Sequence, residues 1–139
     1  MAYRIGLTLA LAVAAFARIS GLDRERAFYS TLLMVVGHYY VLFAILGGDM
    51  QALAVDGIGL IVFASVAVSG FRGNYSLVAI GLAAHGIFDA LHGHIIANAG
   101  VPEWWPAFCG SYDIAAGCLV YLGGRRAPAT VLAKLLAAQ

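Results

Sequence analysis

"QALAVDGIGLIVFASVAVSG", from Gln51 to Gly70, carries a single ionisable side chain, Asp56, along a run of apolar and small residues. At about 1.5 Å of rise per residue, such a run in a helix spans the roughly 30 Å hydrocarbon core of a bilayer. Four further apolar segments surround it: Tyr3–Ile19, Ala27–Gly48, Ser76–Ala99 and Ala107–Gly123. The pattern predicts an all-α integral membrane bundle of about five transmembrane helices, with residues 1–139 forming one domain.

Composition agrees. Hydrophobic residues make up 63% of the chain and charged ones 11%, with a mean hydropathy of +0.90. A soluble domain carries roughly 25% charged residues, and one of this size cannot hide so much apolar surface. The net charge is +1 and no basic patch points to nucleic acid. Cys109 and Cys118 would lie about 13 Å apart on opposite faces of one helix, which excludes a disulfide between them there.

Basic residues suggest the orientation. Arg18, Arg24 and Arg26 fall between the first two segments, Arg72 follows the third, and Arg125, Arg126 and Lys134 follow the fifth. The other two loops contain no Lys or Arg. Positive loops stay in the cytoplasm, so the N-terminus is expected outside and the C-terminus inside, in a bacterial inner membrane. A rival reading of the first segment is a signal peptide cleaved at Ala15-Phe16-Ala17, but the arginines that follow at once favour a spanning helix. The tail from Pro128, "PATVLAKLLAAQ", is predicted as a short interfacial helix.

The exceptions to the apolar pattern are His38, Asp56, His85, Asp89, His92, His94 and Asp113. Ionisable groups inside spanning segments are unfavourable and usually functional. Measured from the outer end of each segment, Asp56 lies about 8 Å deep, Asp113 and His92 about 10 Å, Asp89 and His38 about 15 Å, and His85 about 20 Å. Four helices are thus expected to bring polar groups to one layer. His85, Asp89 and His92 are spaced i, i+4, i+7 and share one helical stripe, whereas His94 points away. Cys109 and Asp113, at i, i+4, share a face of the fifth segment. The predicted site is His85, Asp89 and His92, with His38, Asp56 and Asp113 as partners and Cys109 as a weaker one.

The stretch from His85 reads H-G-x2-D-x2-H, followed by Pro102 and "WWPAFCGSYD" from Trp104. It resembles an uncharacterised family of small bacterial and fungal membrane proteins, catalogued as domain of unknown function 6010. In that family a His, an Asp and a His on one helix precede a Pro-containing loop, and a Cys and an Asp follow. The resemblance spans residues 85–113, leaves His38 and Asp56 outside, and implies no activity.

Imidazole with carboxylate suits a divalent transition metal: Zn, Fe, Mn or Cu. The metal ligands would come from His85, Asp89, His92, His38, Asp56 and Asp113. Such a centre could polarise a lipid-like substrate. Without metal, Asp89 and His85 could perform acid–base catalysis on such a molecule, or the set could relay protons. The structural alternative is a His–Asp network holding a scaffold or accessory subunit together, as a homo-oligomer or within a larger membrane complex.

Overall fold

A computed structural model describes residues 1–124. It contains α1 (Ala2–Ser20), a 3-10 turn (Leu22–Arg24), α2 (Arg26–Gly47), α3 (Met50–Arg72), α4 (Ser76–Ile95) and α5 (Trp105–Gly124), with no strand among the described residues. The expected five helices are all present. The predicted interfacial tail and the basic residues Arg125, Arg126 and Lys134 lie outside the described residues.

Helices α1 to α4 are each long and apolar enough to cross a membrane. Helix α5 is as long as α4, but Pro106, Asp113 and its glycines make it less apolar. The bundle is apolar outside, and inside it an apolar core encloses a small polar cluster. Leu46, Ile58, Ile61 and Ile95 are all largely exposed, while Asp56, His85, Asp89, His92 and Asp113 are buried. This is the distribution a lipid solvent demands.

The turns follow from local chemistry. Gly48 ends α2 in the left-handed region at φ 67°. Asp49 then caps α3, its carboxylate accepting from the amides of Gln51 and Ala52 at 3.0 and 2.9 Å. The fourth helix ends at Ile95, not at Ala99 as the hydropathy suggested. Its continuation peels away because Asn98 and Gly100 are held by α2 and α3 instead.

Helix α4 packs closely on α5, α2 packs on α3, and α1 packs on α5. The α4–α5 contact is close because it runs over glycines. A side chain on Gly86 would meet the Gly110 carbonyl oxygen at 2.7 Å, and one on Gly117 would meet the Ala79 carbonyl oxygen at 2.7 Å. Trp104 is exposed, but Trp105 and Tyr112 turn inward, and Trp105 packs against Tyr39, Phe43 and Phe108.

Candidate metal centre

The stripe on α4 faces the bundle interior along its whole length, since residues at i, i+4 and i+7 share one face. His85, Asp89 and His92 are each 1–2% exposed. Their partners fall into two tiers, about two turns of helix apart.

The deeper tier joins α4 to α5 and α2. His85 Nδ1 donates to Asp113 Oδ2 at 2.7 Å and lies 3.5 Å from Asp89 Oδ2. The Cys109 thiol reaches the same Asp113 oxygen at 3.6 Å. The Tyr40 hydroxyl donates to Asp89 Oδ1 at 2.7 Å. Phe63 packs edge-on against the His85 ring, at 4.7 Å between centroids. Two carboxylate oxygens, Asp89 Oδ2 and Asp113 Oδ1, are buried without a hydrogen-bond partner.

The second tier lies nearer the α2–α3 turn. His92 Nε2 donates to Asp56 Oδ1 at 2.9 Å, and the Asn98 amide donates to Asp56 Oδ2 at 2.9 Å. Asn98 also reaches the Tyr40 carbonyl at 3.1 Å. The Tyr40 ring stacks on His92 with centroids 3.7 Å apart and planes at 17°. Tyr40 thus links the tiers, its hydroxyl in one and its ring in the other.

Five of the six predicted ligand residues are therefore buried in this interior: His85, Asp89, His92, Asp56 and Asp113. The sixth, His38, is not in it. Its side chain faces outward from α2, with Nδ1 2.6 Å from the Met34 carbonyl oxygen. Tyr40, two residues on and about 200° around the helix, points inward in its place. Nor do the buried five form one ligand set. Asp56 and His92 pair with each other, and the compact group is His85, Asp89, Cys109 and Asp113. His94 is exposed, as expected. Asn98 was missed, because an amide just past the end of a helix reads as ordinary loop.

Each member of the compact group offers one ligand atom, and these atoms all lie within 4.8 Å of one another. Tetrahedral bonds of about 2.0–2.3 Å place ligand atoms roughly 3.3–3.8 Å apart. Forming such a set would take shifts of about 1 Å, with the widest separations closing and the 2.7 Å His85–Asp113 contact opening. Charge sets a separate requirement. Three buried carboxylates face two imidazoles, so even with both rings protonated the full set carries one uncompensated negative charge. A further cation or proton is needed where the dielectric is low.

Asn98→Ala is expected to cost about 1–3 kcal/mol, because Asp56 Oδ2 loses its donor in a part-buried setting. Amide hydrogen exchange should quicken across residues 96–104 while α4 around His85 stays protected. Unchanged exchange would show that Gly100, seated against Phe43 and Gly47, holds the loop without Asn98.

Fold and site together define a class: an all-helical chain suited to a membrane, with a buried His/Asp/Cys group able to hold a metal ion. No protein-family model, curated protein or solved structure matches the chain.

Proposed function

We propose that this is an intramembrane metal-binding protein whose centre is His85, Asp89, Cys109 and Asp113. The observation that carries the reading is the convergence of imidazole, thiol and two carboxylates, with two carboxylate oxygens making no hydrogen bond, one of them 3.5 Å from the His85 ring. A thiolate with imidazole and carboxylate suits Zn(II) among the divalent transition metals. Binding would displace the thiol proton and the imidazole proton now directed at Asp113. Tyr40 would then orient Asp89 from outside the ligand set. His92 and Asp56 would support the centre without ligating the metal.

The membrane reading places the protein in a bacterial inner membrane with Arg18, Arg24, Arg26 and Arg72 at the cytoplasmic end and the site in the outer half. Surrounding lipids would solvate the exposed apolar face. The resemblance to the family of unknown function 6010 is compatible with this proposal, since its His, Asp, Cys and Asp positions are the four of the compact group.

A lipid-like substrate is a less direct reading. His85 and Asp89 are each 1% exposed, so catalysis on such a molecule would require a helix or the Asn98 loop to move. The structural alternative draws on a different observation: His85–Asp113, Tyr40–Asp89 and His92–Asp56 already bond helices α2 to α5 together.

Elemental analysis of protein purified without chelator separates these readings. About one metal ion per chain is expected. His85→Ala or Cys109→Ala should abolish stoichiometric metal, whereas His92→Ala should retain it. Folded protein without metal after growth with each candidate ion would favour the structural network. Loss of metal only on His92→Ala would place the centre in the wrong tier.

A further inference from the structure

The compact group sits near the middle of the bundle. His85 lies nine residues from Ser76 and ten from Ile95, so about 14 and 15 Å from the two ends of α4. Distance therefore does not decide from which end a cation would reach it. The chemistry of the two halves does.

Toward the α3–α4 turn the interior is closed and apolar. Leu33, Val78, Leu82, Ala116 and Val120 fill it, each 0–6% exposed. A Cβ on Gly81 would meet Leu33 at 2.6 Å, and one on Gly70 would meet Val78 at 2.6 Å. Among the described residues, no buried carboxylate, imidazole or thiol lies on that side of His85. A divalent ion crossing this layer would shed its water and gain no ligand in return.

The other half is a polar series. Asp89 is followed by His92 with Asp56, and then by Asn98, which is only half-buried, so the series reaches the surface at the 96–104 loop. Asp56 Oδ1 is held by His92 Nε2, whereas Oδ2 accepts from the Asn98 amide. Release of Asn98 would free one carboxylate oxygen at the head of the series. The next oxygen without a hydrogen bond is Asp89 Oδ2. His92, at the level of Asp56, is three residues and so about 4.5 Å along α4 from Asp89.

We propose that the Asp56–His92–Asn98 tier is the cation entry to the metal centre, with Asp56 Oδ2 as the first ligand and Asn98 as the latch. The route rests on the metal-binding function proposed above. A hydrated divalent ion arrives at the 96–104 loop, takes Asp56 Oδ2 as Asn98 lets go, and passes to Asp89 Oδ2. Asn98 then returns to Asp56, so the loaded protein keeps no metal in this tier. His92 is a positioning residue, since its bond to Oδ1 aims the other oxygen.

The test is the rate at which the full chain loads in detergent. Metal is stripped with a chelator, Zn(II) alone is added, and bound zinc is measured at intervals after removal of the free ion. Asp56→Asn should slow loading about tenfold or more yet reach the wild-type content. Asn98→Ala should speed loading about threefold or more, to the same content. Ser30→Ala, at a buried polar position on the opposite side of His85, should leave the rate unchanged. Wild-type rates in both Asp56→Asn and Asn98→Ala would overturn the entry while leaving the metal centre intact. Slowing by Ser30→Ala equal to that by Asp56→Asn would also overturn it. Lost final content in Asp56→Asn would make Asp56 a ligand of the centre and remove its role as an entry. If helix content shows that Asp56→Asn does not fold, Asn98→Ala decides alone, and unchanged or slower loading overturns the latch. A wild-type chain that never takes up zinc would overturn the metal centre, and its entry with it.

Discussion

Asp113→Ala is expected to destabilise the protein by about 3–5 kcal/mol, the usual loss when one member of a buried ion pair is removed. Asp113 is fully buried, and its Oδ2 accepts from both His85 and Cys109. Without it, His85 keeps only the longer approach to Asp89, at 3.5 Å. Asp89→Asn should be milder, because an amide oxygen can still accept from Tyr40 while the charge near His85 is lost. His94→Gln, on the exposed face of α4, should stay within about 0.5 kcal/mol. Denaturation in a fixed detergent, followed by helix content, gives the ranking. A loss at His94 as large as that at Asp113 would mean that the buried network does not hold the helices.

The second large effect is expected at Gly86. A Cβ there meets the Gly110 carbonyl oxygen and the Ile114 side chain, both at 2.7 Å, and the Ile114 amide nitrogen at 3.1 Å. Backbone atoms cannot swing aside, so Gly86→Val must push α5 away from α4. Overpacking of this kind costs typically about 1–3 kcal/mol, and here the upper end is expected. The same shift would separate Asp89 from Asp113, so metal content should fall together with stability. Gly57→Ala is the comparison. Nothing lies within 4 Å of its added carbon, and alanine is favoured over glycine in a helix by up to about 1 kcal/mol. It should be neutral or stabilising. Equal damage at the two glycines would remove close α4–α5 packing as the cause.

The three residues of the α4 stripe were legible because they share one element, and helical periodicity fixes their relative azimuth. Asp56 and Asp113 were legible because each is an isolated charge in an apolar run and so must turn inward. His38 met the same description and faces outward. Hydropathy gives the depth of a residue, but its azimuth depends on which face of α2 the neighbouring helices cover. Tyr40 decides that here, since its ring fits against His92 and its hydroxyl against Asp89. The spacing of two between His38 and Tyr40 did carry a signal: both could not face the site. Cys109 was undervalued because its part depends on Asp113 being shared with His85, a relation between helices that no single helix displays.

The division of partners along the chain bears on how the protein is made. When α4 leaves the ribosome, α2 and α3 already offer Tyr40 and Asp56, so Asp89 and His92 can be matched at once. His85 must wait for Asp113, which arrives only with α5, and α1 also waits for α5 to pack against it. The last described helix therefore completes both the polar interior and the lodging of the first. A nascent chain halted before Trp105 would leave His85 with only its longer approach to Asp89, and a loosely seated first helix. Those are features by which membrane quality control can tell an unfinished product from a finished one.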